Sequence, residues 1–289
     1  MVNDPLFQTI VDYFIKHCNQ EIILRKLKTD IHTDTNLELF LDKLIKYKLI
    51  QRKDRRYSLL FPIFQPEPPI QISETIIDSL KIIIGENAET ACYLFGEWFW
   101  SLLFSEERNP YFFGVREADF FIKREVGNDT WKMVSICLKR QQPLDLANFF
   151  TLLSAQTKLP DQFKPLQDLV GDVDINYFIP QLQKVIRSAK RQKVAKTKRD
   201  IFRETLLLTG DLIQNEVGEE IIVTPILENL SPPIELEPVL EELALELSES
   251  WKLIEDVNQR VFFKLQLFRS LFKECFPQNK SLHYFKNVK

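Results

Sequence analysis

At 289 residues, 45% hydrophobic and 27% charged with a net charge of −3, the chain is long enough for two domains and a sizeable buried core. Its N-terminus, MVNDPLFQTIVDYF, carries no basic region followed by an apolar stretch and a small-residue cleavage site, which argues against an exported class. The longest apolar run, Ala91 to Phe104, contains Glu97 and is shorter than the roughly 20 residues a bilayer span needs, so a cytoplasmic protein with no membrane partner is expected.

Taken in chain order, Asp4-Pro5 predicts a helix start, with Phe7, Ile10, Val11 and Phe14 following at helical spacing. Asn19 can cap a short second helix carrying Ile22, Ile23 and Leu27. Thr35 and Glu38 form a capping-box pattern ahead of Leu37, Phe40, Leu41, Leu44 and Ile45, which predicts a third helix over about 36–48. The period then changes in LIQRKDRRYSLLF, where Tyr57, Leu59 and Phe61 alternate along one face and Arg52, Lys53, Arg55 and Arg56 surround Asp54, as in a β-hairpin with a charged tip. Three helices and a hairpin within 65 residues follow the order of a winged helix-turn-helix. The patterns DPLFQTIVDYFIKH, LRKLK and NLELFLDKLIKYKLIQRKDRRYSLLFP resemble the N-terminal segment of an uncharacterised domain family of Gram-positive bacteria with low genomic GC content. That family has no assigned activity, so the resemblance implies a bacterial cytoplasmic protein and adds no mechanism.

Four prolines between Phe61 and Pro69 predict an extended linker and a division into a winged-helix domain, 1–65, and a larger domain, 66–289. Ser73 caps a helix with Ile76, Ile77, Leu80, Ile83 and Ile84 that stops at Gly85, and the aromatic run 91–104 reads as a buried helix. Ala118 to Glu125 and Thr130 to Arg140 read as strands joined by Gly127-Asn128-Asp129. Long helices are expected over about 174–208 and 238–276, the latter as one helix or two. The fold class is therefore α+β, predominantly α, with helices on a small antiparallel sheet.

Charge segregates strongly. Lys184 to Arg203 holds nine cations against Asp200, whereas Glu235 to Asp256 holds eight acids against Lys252. The basic set, Arg187, Lys190, Arg191, Lys193, Lys196, Lys198 and Arg199, could track a polyanion. Alternatively the two blocks neutralise each other along an antiparallel helical seam, or pair between subunits of a homo-oligomer. Residues 1–65 hold eleven cations and eight acids. In a DNA-binding winged helix, Asn36, Lys43 and Lys46 on the third helix would face bases, Glu38 and Asp42 would meet phosphates unfavourably, and the four hairpin cations would grip the backbone. The competing reading is a winged helix that docks a protein partner.

Catalysis has little support. No P-loop, GxGxxG, GxSxG or HExxH is present, and neither a cofactor nor a metal site is expected. His17, His32 and His283 are scattered, and Cys18, Cys92, Cys137 and Cys275 are widely spaced and read as reduced core thiols. Glu97, Asp119 and Cys137-Leu138-Lys139 follow the layout of a metal-dependent nuclease core, but Cys137 stands where a metal-binding acid is required. A degenerate nuclease-like protein is the most that pattern allows. Among the aromatics, Glu97 would be either an acid perturbed by burial or a hydrogen-bonded structural carboxylate.

Overall fold

The computed structural model describes the whole chain except residues 3, 66–69, 86, 106, 108, 117, 157, 192–198, 217, 233–235 and 289. The chain divides into two units, one comprising 1–66 and 110–118 and the other 67–109 and 119–289.

The first unit opens with α1 (Pro5–Lys16), whose cap is Asp4 as expected. Next come α2 (Leu24–Asp30) and α3 (Leu37–Lys46). Two local readings are corrected. The cap of α2 is Ile23 and not Asn19, and α3 is capped by Asn36 one residue after the predicted Thr35. Strands β1 (Ile50–Lys53) and β2 (Arg56–Leu59) form the predicted antiparallel hairpin. Its edge is extended by a bridge between Ile23 and Arg56 and a hydrogen bond from Tyr57 N to Ile22 O, 2.8 Å. Apolar faces of all three helices meet Ile50 and Tyr57 in one core, with Ile10, Leu27 and Leu44 fully buried. Beyond the hairpin, β3 (Ile63–Phe64) runs parallel to β4 (Gly114–Val115), so a segment from far along the chain completes this unit. Of the predicted proline linker, residues 66–69 lie outside the described residues.

The second unit begins with α4 (Glu74–Ile84), capped by Ser73 and stopped at Gly85 as the sequence predicts. The aromatic run forms α5 (Ala88–Cys92), a turn of π-helix (Tyr93–Trp98) and α6 (Phe99–Phe104). Strands β5 (Phe121–Gly127) and β6 (Trp131–Leu138) pair antiparallel across the predicted turn. Helices α7 (Leu146–Ser154), α8 (Lys164–Val170), α9 (Ile175–Lys190) and α10 (Ile201–Thr209) follow. After them come short strands β7 (Leu212–Gln214), β8 (Glu220–Ile222) and β9 (Ile226–Leu227). The chain ends with α11 (Glu237–Lys252), α12 (Val257–Cys275) and β10 (Ser281–Asn287).

The expected helix over 174–208 is thus two helices, because Asp200 caps a new one through Phe202 and Arg203. The 238–276 segment is also two, with Asp256 capping α12. The main sheet has the order β5-β6-β10-β9, antiparallel except for the β10–β9 pair. Successive strand residues point to opposite faces. Phe121, Val134, Ile136, Leu282 and Tyr284 pack under α4 to α6, α11 and α12, while Trp131, Met133 and Phe285 pack against α7 to α10. No helix among the described residues is long and apolar enough to cross a membrane. The thiols are all free, yet Cys18 is exposed and Cys275 only half-buried, which corrects the reading of four core thiols.

Candidate functional site

The hairpin tip is built on Asp54 and Arg55, both in the left-handed region with φ of 50° and 62°. This is the geometry of the tight hairpin turn that favours Asn-Gly or Asp-Gly. Aspartate tolerates it, whereas arginine at φ > 0 costs roughly 1–2 kcal/mol against glycine. Lys48, just after α3, also sits at φ 56°, so this unit keeps cations at two positions where glycine fits better.

All four predicted hairpin cations are exposed, but they differ. The Arg56 guanidinium pairs with Glu21 at 2.7 Å. The Arg52 guanidinium lies 5.6 Å above the Tyr57 ring, which braces it. Lys53 and Arg55 have no ion-pair partner among the described residues. On α3 the Asn36 side chain accepts a hydrogen bond from Leu39 N at 3.2 Å, so its carbonyl serves as a helix cap and not as a base reader. Glu38 pairs with Lys28, which removes one expected clash with phosphate. Lys43 and Lys46 are exposed, with Leu39 and Tyr47 (60% and 63% exposed) on the same stripe as Lys43.

In the second unit the described parts of the basic and acidic blocks, α9 and α11, do not form an antiparallel pair. The apolar stripe of α9 packs on one sheet face and that of α11 on the other. Burial of Phe178, Ile179, Leu182 and Ile186 by α9, against Leu240, Leu243 and Leu247 by α11, outweighs the attraction of exposed, screened charges. Lys190 pairs with Glu228 at 2.8 Å and Arg199 with Glu204 at 3.1 Å. Lys184, Arg187, Ser188 and Arg191 line a shallow notch of about 230 Å³. Lys193, Lys196 and Lys198 lie outside the described residues.

The nuclease-like residues are not brought together. Cys137 is buried on the α7 side of the sheet, hydrogen-bonded to Gln141 O, whereas Glu97 lies over the other side. Asp119 accepts from Arg140 N at 3.0 Å and Lys139 is exposed. No group of three metal-ligating side chains occurs among the described residues.

Two polar assemblies escaped sequence reasoning. On the α4–α6 side, Glu97 accepts from Tyr284 (2.5 Å), Lys286 (2.9 Å) and Lys123 (3.2 Å), and Glu125 accepts from Lys286 (2.7 Å) and Lys123 (2.5 Å). Glu97 is therefore the hydrogen-bonded structural carboxylate. Burial pushes the Glu125 carboxyl up, but hydrogen bonds from Lys123 and Lys286 overcome it and hold the group at about 2. Because that value lies below the ordinary 4.5, the contribution of Glu125 is present above pH 4.5 and fades as pH falls toward 2. The stability gap between the parent and Glu125→Gln, measured by urea titration, is expected to be constant above pH 4.5 and to narrow below it. A gap independent of pH would show that the carboxylate charge is not what matters there.

On the opposite face a polar row crosses the sheet: Arg124, Ser135 and His283 are in register on β5, β6 and β10, and Thr224 meets the His283 Nε2 at 3.1 Å. Asp211 approaches the same nitrogen at 3.3 Å, and burial lowers the imidazole pKa less than Asp211 and Asp145 raise it. Fully buried Ser135 donates to Asp145 at 2.7 Å, and the Asn148 amide joins Asp145 and Arg124. The Ser135 hydroxyl thus donates to Asp145 and accepts from the Asn148 amide. The row ties α7 and the loops flanking β7 and β9 to the sheet.

Residues 1–87 match the model of a family described as a domain of unknown function (DUF1803), which spans α1 to α4 and less than a third of the chain. No curated protein and no solved structure matches this chain.

Proposed function

We propose that the first unit is a winged helix that binds duplex DNA, gripping the phosphate backbone with its hairpin, in transcriptional regulation or in replication or partition. The observation that carries this reading is Arg55, a cation held at a left-handed turn position that glycine would occupy at lower cost. Exposed Lys53 beside it and Arg52 braced on Tyr57 supply further phosphate contacts. Lys43 and Lys46 remain as base-facing groups, and with Asn36 engaged as a cap, backbone contacts outweigh base readout. Four free cysteines suit a reducing cytoplasm.

The test is a salt titration of duplex binding by the full chain. Lys53→Glu/Arg55→Glu is expected to weaken binding to every sequence and to reduce the slope of log affinity against log salt by about 1.8, at about 0.9 per phosphate. Arg55→Gly separates the two roles of the residue: stability rises by about 1 kcal/mol as the turn relaxes, while binding weakens. A glycine variant that binds as the parent does would end the phosphate assignment.

The second reading is a protein-docking surface, favoured by exposed Leu39 and Tyr47 on the outer stripe of α3. It takes first place if the parent binds no duplex at low salt and Leu39→Asp/Tyr47→Asp abolishes co-purification of a partner from the native host.

A further inference from the structure

On α9, Lys190 is paired with Glu228, but Lys184, Arg187 and the following Arg191 have no carboxylate partner among the described residues. The sixteen residues of the helix, Ile175–Lys190, include no aspartate or glutamate, although an exposed helix face ordinarily mixes both signs through pairs three and four residues apart. Lys184, Arg187, Ser188 and Arg191 fall at spacings of three, four and seven, which places them on one stripe opposite the buried one. The partners of the stripe are neutral: Lys184 bonds the Gln181 carbonyl at 3.1 Å, and the Arg187 Nε bonds the backbone oxygen of Gln183 at 3.2 Å. Glu228 is paired with Lys190 at the end of the helix, and Glu204 with Arg199. The acid-rich helix α11 belongs to the opposite side of the sheet.

A bland explanation exists for part of this. Cations near a helix C-terminus are favoured by the helix dipole, which falls off within the last turn. It accounts for Arg187 and Arg191. It does not reach Lys184, nor does it explain why, among the described residues, a hydroxyl and three cations border one notch without a carboxylate.

We infer that this face of α9 is a second phosphate-binding surface, occupied by the backbone of a nucleic acid and separate from the hairpin. Lys184 and Arg191 are seven residues apart, roughly 10 Å along the helix axis. Along the duplex axis one strand carries a phosphate roughly every 3.4 Å, and the winding path between successive phosphates is longer. Two successive phosphates can therefore meet the three cations, with Ser188 donating its hydroxyl hydrogen to a phosphate oxygen. The geometry of α9 owes nothing to the hairpin, so the inference goes beyond the proposed role of the first unit and is tested independently of it.

The experiment compares four full-length proteins binding a fluorescent 20-base-pair duplex across a salt series: the parent, Arg187→Glu/Arg191→Glu, Arg187→Lys/Arg191→Lys, and Lys53→Glu/Arg55→Glu. Circular dichroism and sedimentation accompany each. The α9 reversal is expected to lower the salt slope by about 1.8 and to weaken binding more than tenfold, while the lysine version keeps the parental slope. The same loss with an unaffected hairpin variant supports α9 and removes the hairpin reading. A parental slope and affinity in the α9 reversal, with the hairpin variant impaired, overturns the inference and leaves the hairpin standing. Absence of duplex binding by the parent at low salt overturns it as well. So does salt-sensitive self-association that disappears in the α9 reversal without duplex binding, which would assign the surface to α11 of a second copy.

Discussion

Glu97→Ala is expected to destabilise the second unit by about 3–5 kcal/mol, the cost of leaving one partner of a buried ion pair behind. Lys286 and Lys123 are only 7% and 10% exposed in their side chains, and both direct their ammonium groups at Glu97 and Glu125. With Glu97 intact, two carboxylates balance these two lysines. Without it, both lysines depend on Glu125, and the buried Tyr284 hydroxyl loses its 2.5 Å acceptor. Glu97→Gln, which keeps the shape and an acceptor oxygen, is expected to cost less than Glu97→Ala. Lys164→Ala, which breaks the exposed pair with Asp161, should stay within about 0.5 kcal/mol. Urea unfolding followed by tryptophan fluorescence measures this unit specifically, since Trp98, Trp100, Trp131 and Trp251 all belong to it. A loss below about 1 kcal/mol for Glu97→Ala would mean that water or a neighbouring group replaces the carboxylate.

That network also marks the limit of what the sequence makes legible. Helices α1 and α4 can be read locally, because an apolar stripe and a capping residue lie within a few positions of each other. The β1–β2 hairpin is legible for the same reason, since its Tyr57 face is buried and its other face is solvated. β10 is different. Leu282 and Tyr284 pack on one side of it and Phe285 on the other, so both faces are covered and the alternation that identifies a strand disappears. Glu97 and Lys286 meet across 189 positions, and no local pattern announces such a contact.

Charge misled where packing decided. The basic and acidic blocks look complementary on paper, yet each helix goes where its apolar stripe is buried. In the candidate site, the hairpin cations were legible as a set, but not the division among them. Glu21 neutralises Arg56 from a position 35 residues earlier, and only the backbone angles single out Arg55. The capping role of Asn36 is legible locally, because asparagine directly ahead of Leu37 is a strong cap; the Thr35–Glu38 spacing offers a competing capping box one residue earlier.

Gly96→Ala provides the sharpest test of the aromatic core, because two physical effects of opposite sign compete there. Alanine is a better helix former than glycine by about 1 kcal/mol, and Gly96 sits within a continuous helical run. Propensity alone therefore predicts stabilisation. Packing predicts the reverse: a Cβ at this position would lie 2.6 Å from Cζ and 2.7 Å from Cε1 of Tyr284. That ring is 1% exposed, and its hydroxyl is tied to Glu97. To make room, Tyr284 must give up its hydrogen bond or β10 must shift against β6, where seven register pairs hold it. Overpacking of this kind costs about 3 kcal/mol at the upper end of its usual range, so a net loss of about 2 kcal/mol is expected. Tyr284→Leu removes the atoms that would clash, and in that background Gly96→Ala should be neutral or slightly stabilising. The double-mutant cycle then has a coupling of about 2–3 kcal/mol. A coupling near zero would mean that the tyrosine withdraws freely, and that the close approach of the π-turn to β10 is not what selects glycine at this position.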